Sequence, residues 1–61
     1  MLETEYEIRT FILNKLEEIK ICRIAAINCK CKNENMCFKV IDQLVLEELI
    51  DKDDNFIWLK K

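Results

Sequence analysis

The chain contains neither glycine nor proline among its 61 residues. Glycine supplies the positive φ angles of most tight turns, and all-β folds depend on many such turns. The sequence therefore predicts a mainly helical fold with few tight turns. Where a positive φ is needed, asparagine or aspartate is the usual substitute, and the expected positions are Asn28, Asn33, Asp54 and Asn55.

The length leaves room for one domain, so we expect a single unit over residues 1–61. A domain of this size buries only about 60% of its unfolded surface. Apolar residues make up 51% of the chain, which indicates a packed core rather than disorder. The sequence contains no apolar run long enough to cross a membrane and no signal pattern at its start, and both features favour a cytoplasmic location.

Charge is distributed unevenly along the chain. The formal net charge is −2, which argues against strong non-specific binding to nucleic acid. Residues 22–39, however, carry four cations and one carboxylate, a net charge of +3. The distribution therefore favours a basic region in the middle of the chain, formed by Arg23, Lys30, Lys32 and Lys39 around Glu34.

The first half of the chain carries two helical patterns. Thr4 and Glu7 have the spacing of a capping box, in which each side chain bonds the other residue's free backbone N–H. This signal predicts a first helix at about residues 4–19, and a second, short helix is expected at about 22–28. The apolar residues of the first helix recur at helical spacing, and the predicted buried face is Ile8, Phe11, Ile12, Leu16 and Ile19.

The second half carries a third helix and a hairpin. Asn33 is a good N-cap residue for a helix that runs from Glu34 to about Glu48. Residues 49–50 and 56–59 are typical of strands, and the polar residues 52–55 between them are typical of a turn. The predicted fold is therefore mainly α with a small β-hairpin. The predicted buried stripe of the third helix is Cys37, Val40, Ile41, Leu44 and Val45.

Two segments carry a resemblance to a known family. Residues 21–27, ICRIAAI, are similar to the family's second helix, and residues 40–50, VIDQLVLEELI, are similar to the end of its recognition helix. With the aspartate-rich turn and residues 56–59, they make the chain resemble the winged helix-turn-helix family of DNA-binding domains. The resemblance implies one winged helix-turn-helix domain, three helices plus a C-terminal wing, that acts as a small transcriptional regulator.

The same resemblance implies which residues meet DNA. The third helix, about residues 33–48, would lie in the major groove, where asparagine and glutamine can bond adenine and lysine can bond guanine. Lysines in the turn and after the wing would meet phosphates, with Lys61 beside Lys60. The implied DNA-binding residues are Lys30, Lys32, Asn33, Asn35, Phe38, Lys39, Gln43 and Lys60.

A second function stays open, because winged helices also serve as protein-interaction modules or small subunits of larger complexes. The net negative charge and the acidic turn favour this alternative. A continuous positive face around Lys30, Lys32 and Lys39 would favour DNA, whereas acidic groups mixed through that face would favour a protein partner. The acidic residues of the turn are Asp51, Asp53 and Asp54.

For a DNA-binding regulator we expect a homodimer, because one short helix gives limited specificity and two half-sites multiply it. The first helix, or Phe56 and Trp58 of the hairpin, are the candidate interfaces. An enzyme is not expected. Histidine and serine are absent, and the chain has no glycine-rich phosphate loop.

Four cysteines, Cys22, Cys29, Cys31 and Cys37, lie in the middle of the chain. Their spacing is not the C-x2-C pair of structural zinc sites, so we expect no cofactor. Ordinary thiols, a disulfide and a zinc or iron–sulfur ligand set that senses redox state all stay open. Cys22 begins the predicted second helix, Cys29 is expected to close the turn against a buried Cys37, and Cys31 is expected to be exposed.

Overall fold

Helices and strands are interleaved along the chain. The computed structural model describes residues 1–60, so Lys61 and its implied phosphate contact lie outside the described residues. Within this range there are three helices and a three-stranded antiparallel sheet. The elements are α1 (Glu5–Ile19), β1 (Ile21–Arg23), α2 (Ile24–Asn28), α3 (Glu34–Leu46), β2 (Ile50–Lys52) and β3 (Phe56–Leu59).

The start of α1 has the predicted capping box. Thr4 Oγ1 accepts a hydrogen bond from the Glu7 N–H at 3.1 Å, and a Glu7 carboxylate oxygen accepts the Thr4 N–H at 3.1 Å. The Glu3 and Thr4 N–H groups both donate to this carboxylate and hold the pKa of Glu7 below its usual value. The prediction that Ile19 is buried is wrong, because it lies in the last turn of α1 and is exposed.

The sheet is larger than the predicted hairpin. Its strand order is β1-β3-β2, so β3 is central and pairs with β1 as well as with β2. Cys22 lies opposite Ile57 in the middle of β1, which corrects the prediction that it begins the second helix. That helix, α2, begins only at Ile24, where the backbone N–H bonds the carbonyl of Asn55 at 2.9 Å.

The turn between α2 and α3 is held by the N-terminal residues. Leu2 forms an isolated parallel β-bridge to Cys31. The Leu2 N–H donates to the Lys30 carbonyl and the Leu2 carbonyl accepts the Lys32 N–H, both at 2.8 Å. Asn33 then caps α3 as predicted, because its side-chain oxygen accepts the Met36 N–H at 3.2 Å. The bridge and the cap together hold the N-terminal end of α3 in place.

Positive φ occurs at unexpected positions. Among the described residues it is found at Lys20, with φ 70°, and Glu48, with φ 61°, and not at the predicted asparagines and aspartates. Each residue follows the end of a helix and precedes a strand. α3 ends at Leu46 rather than Glu48, because the chain turns at this point into β2.

The core lies between the helices and one face of the sheet. Ile8, Ile12 and Leu16 of α1 and the predicted stripe of α3 are buried, except that Val45 is half-buried. β2 and β3 contribute Ile50 and Ile57, which are also fully buried. No helix in the described part of the chain is long and apolar enough to cross a membrane.

Candidate nucleic-acid interface

One side of α3 is open. Its buried residues, Cys37, Val40, Ile41 and Leu44, all lie on one side of the helix, and at 3.6 residues per turn the opposite side points away from the core. We call this open side the α3 face. Its members, all exposed, are Asn35, Phe38, Lys39, Asp42, Gln43 and Leu46.

A groove runs between the N-terminal half of α3 and the turn that joins β2 to β3. It is lined by Phe38 of α3, by residues of α2, and by Asp54, Asn55 and Phe56 of the hairpin. Arg23 lies in this groove, with its guanidinium carbon 5.4 Å from the centroid of the Phe56 ring. The resemblance did not imply a role for Arg23, and its place in the charged middle segment was the only sequence signal for it.

Apart from Lys39, which lies within α3, the lysines implied to meet DNA lie at the two ends of this helix. Lys30 and Lys32 lie in the turn that precedes the helix, and both are exposed. Lys60 follows β3, and its backbone N–H donates at 3.1 Å to the carbonyl of Leu49, which lies after the end of α3. A helix of 13 residues is about 20 Å long. The two groups of lysines therefore cannot meet the same phosphate.

Acidic residues accompany several of these lysines. Lys39 Nζ lies 3.4 Å from a Glu5 carboxylate oxygen, and Lys32 Nζ lies 3.8 Å from a Glu3 carboxylate oxygen. Lys60 Nζ lies 3.4 Å from a carboxylate oxygen of Glu48. Among residues 1–60, no ion pair involves Lys30 or Arg23. The face around the turn is therefore mixed in charge rather than uniformly positive.

Two of the acidic residues near α3 have internal partners. Asp42 on the α3 face lies 3.1 Å from the Lys52 ammonium of β2, so its charge is balanced within the protein. Asp53 stabilises the hairpin turn, which contains no glycine. Its carboxylate accepts hydrogen bonds from the backbone N–H groups of Asn55 at 2.9 Å and Phe56 at 2.7 Å. These two bonds hold the pKa of Asp53 below its usual value.

Gln43 belongs to a polar cluster between α1 and α3. Its side-chain amide donates to Glu47 at 3.0 Å, and the Arg9 guanidinium binds both oxygens of the same carboxylate. Hydrogen bonds from Arg9 and then Gln43 lower the pKa of Glu47 to about 2. The amide of Gln43 is thus already engaged, whereas Asn35, one turn before Lys39, is exposed at the N-terminal end of the helix.

The cysteines are arranged differently from the expectation. Cys29 is exposed and Cys31 is buried, which reverses the predicted roles, because the Cys31 side chain belongs to the core and its thiol donates to the Ile27 carbonyl at 3.3 Å. Cys22 and Cys37 are buried as well, and all four thiols are free. Burial and then a hydrogen bond with the Cys31 thiol raise the pKa of Cys37 to about 12. In the described range no group of three or more metal-ligating side chains comes together.

Comparison with known proteins adds no relative. A scan against protein-family models and searches of curated proteins and solved structures found no match to this chain.

Proposed function

We propose that this chain is a winged helix-turn-helix domain that binds double-stranded DNA through the N-terminal half of the α3 face. The observation that carries the proposal is the arrangement of α2 and α3, joined by a basic turn, beside the β2–β3 hairpin, which would serve as the wing. This arrangement leaves Asn35 and Lys39 exposed, where they could meet base edges in the major groove.

Cations of the turn and groove would supply the phosphate contacts. Lys30 and Arg23 are ready for this role, since no carboxylate of the described residues pairs with them. Lys32 would exchange Glu3 for a phosphate. Such an exchange costs little, because an exposed ion pair contributes only about 0–1 kcal/mol. The internal partner of Asp42 also reduces its repulsion of DNA.

The proposal predicts salt-dependent binding to a mixed-sequence duplex, measured by fluorescence anisotropy at low and at physiological salt. Lys30→Gln should weaken binding and reduce the slope of log affinity against log salt by about 1, as expected for a phosphate contact. Lys39→Gln should instead weaken binding by an amount that depends on the duplex sequence, as expected for a base contact. Lys15→Gln is the matched control, because Lys15 pairs with Glu18 on α1, away from the α3 face. Absence of binding at low salt, where phosphate contacts are strongest, would remove DNA as the ligand.

A second function, docking of a protein, is favoured by a different observation. Phe38 is 40% and Leu46 is 77% exposed on the α3 face, on either side of Asp42. Exposed large apolar groups that flank a charge suit a protein surface better than a phosphate backbone. The carboxylates beside Lys32 and Lys39 point the same way.

The two functions respond to different substitutions. If α3 docks on protein, Leu46→Ser and Phe38→Ser should abolish capture of a partner by the immobilised domain, and Lys30→Gln should leave capture unchanged. If α3 binds DNA, Lys30→Gln should weaken DNA binding and Leu46→Ser should leave it nearly unchanged, because Leu46 lies in the last turn of the helix.

A further inference from the structure

Two buried thiols of the core are hydrogen-bonded to each other. Cys31 lies in the turn before α3, Cys37 lies near the start of that helix, and both belong to the core. The Cys31 thiol donates to the Ile27 carbonyl at 3.3 Å. Its sulfur is therefore free to accept from the thiol of Cys37, its hydrogen-bond partner. The two sulfur atoms are thus neighbours inside the protein.

The other two cysteines have backbone partners instead of a second thiol. The exposed Cys29 thiol donates to the Ala26 carbonyl at 3.2 Å. The Cys22 thiol in β1 donates to the Arg23 carbonyl at 3.5 Å. The contact with Cys37 is therefore made by Cys31, and not by Cys29 as the sequence predicted.

We propose that Cys31 and Cys37 form a disulfide when the protein is exposed to an oxidising thiol–disulfide pool, for which glutathione disulfide serves as the oxidant. Two thiols that the fold already holds in contact react as an intramolecular pair, at a high effective concentration. A disulfide brings its two sulfur atoms to about 2.05 Å. Rotation of the two side chains closes the remaining gap between neighbouring sulfur atoms.

The exposure of the two residues sets the order of the steps. Cys31 is 8% exposed and Cys37 is fully buried, so Cys31 reacts first. Its thiolate attacks one sulfur of glutathione disulfide, breaks the S–S bond and releases one glutathione thiolate, which takes up a proton. Cys37 then gives its proton to the solvent, attacks the Cys31 sulfur of the mixed disulfide and releases the second glutathione.

The exchange is balanced and slow. The two cysteines lose two electrons and two protons, and one glutathione disulfide becomes two molecules of glutathione. Because little of Cys31 is exposed, the first attack waits for local opening of the turn. The exposed Cys29 therefore reacts with glutathione sooner, but it forms only a mixed disulfide.

Oxidation changes how the turn is attached. Cys31 in a disulfide has no S–H group, so its bond to the Ile27 carbonyl of α2 is lost and a covalent bond to α3 replaces it. Cys31 lies between Lys30 and Lys32. The redox state of the pair therefore controls the basic turn that the proposed DNA site uses. That consequence rests on the proposed function, whereas the disulfide itself does not.

Peptide mapping tests the pairing. Trypsin cleaves after lysine and arginine, so it places each cysteine in a separate peptide. The native protein is equilibrated at rising ratios of glutathione disulfide to glutathione, alkylated and digested. Peptides 31–32 and 33–39 should become linked to each other. A Cys29 adduct with glutathione shows that the oxidant was active, and the absence of any internal disulfide at such ratios, or a link that includes Cys29, would overturn the proposal.

Matched variants test the same pair without DNA, so the result is separate from the proposed function. The wild type and Cys29→Ser should each melt at least about 4 °C higher when oxidised than when reduced, because the disulfide restricts the unfolded chain. Cys37→Ser should gain nothing on oxidation. Each variant is compared with its own reduced form, which cancels the effect of the substitution on folding. An equal gain in Cys37→Ser would refute the pairing.

Discussion

Replacing Lys20 by glycine should stabilise the protein. Lys20 follows α1 with φ 70° and ψ −41°, a backbone conformation that a Cβ atom disfavours and that glycine adopts readily. The residue is held there because its N–H bonds the Leu16 carbonyl at 2.9 Å and the next residue must already pair with β3. The chain therefore stores strain at the junction of α1 and β1.

The size of the effect follows from two opposing contributions. A residue in a sparsely populated backbone region costs of the order of 1–3 kcal/mol. Glycine loses more conformational entropy on folding than other residues, which costs roughly 0.5–1 kcal/mol. The expected net gain is about 1 kcal/mol in the free energy of unfolding, which for a domain of this size raises the melting temperature by about 4–8 °C.

Lys20→Ala is the matched control. Both substitutions remove the bond from the Lys20 ammonium to the Glu17 carbonyl, but only alanine keeps the Cβ atom. Urea denaturation followed by far-UV circular dichroism should rank Lys20→Gly above Lys20→Ala by about 1 kcal/mol. Glu17→Gly, inside α1, should instead destabilise by roughly 0.5 kcal/mol. If Lys20→Gly is no more stable than Lys20→Ala, the positive φ carries no strain and the reasoning fails.

Two further predictions concern titratable groups. The folded pKa of Glu47 is about 2 against a usual value of 4.5. Its contribution to folding stability is therefore complete above pH 4.5 and is lost as pH falls toward 2. Acid titration followed by circular dichroism should show a shallower loss of stability in this window for Glu47→Gln than for the wild type. Cys29 is exposed and the other three thiols are buried. A thiol reagent should therefore label Cys29 rapidly in the native protein and Cys37 only after unfolding. Rapid labelling of Cys37 in the native protein would contradict its burial.

Elements with strong local signals were predictable from the sequence. The capping box of Thr4 and Glu7 and the N-cap Asn33 are formed by residues three positions apart, so their effect does not depend on the rest of the fold. The last strand was also predictable, because Phe56, Ile57 and Trp58 are aromatic or β-branched. These signals fixed both long helices and β3.

What was missed depends on distant partners. β1 is three residues long, and only its pairing with β3, more than thirty positions away, makes it a strand. The bridge between Leu2 and Cys31 is likewise non-local. Positive φ occurs at Lys20 and Glu48 where a helix gives way to a strand within one to three residues, a geometric demand that overrides residue preference.

The candidate site shows the same limit. The sequence placed Lys32 and Lys39 on one face, but the carboxylates that accompany them come from Glu3 and Glu5, about thirty positions earlier. These ion pairs are exposed and weak. They make the face less positive, but the lysines can leave them at little cost in free energy. DNA binding then depends on how many pairs phosphate displaces, and the slope of affinity against salt counts the cations that make the exchange. A protein partner offers fewer fixed charges and gives a small slope, so the same measurement separates the two functions even where both ligands bind.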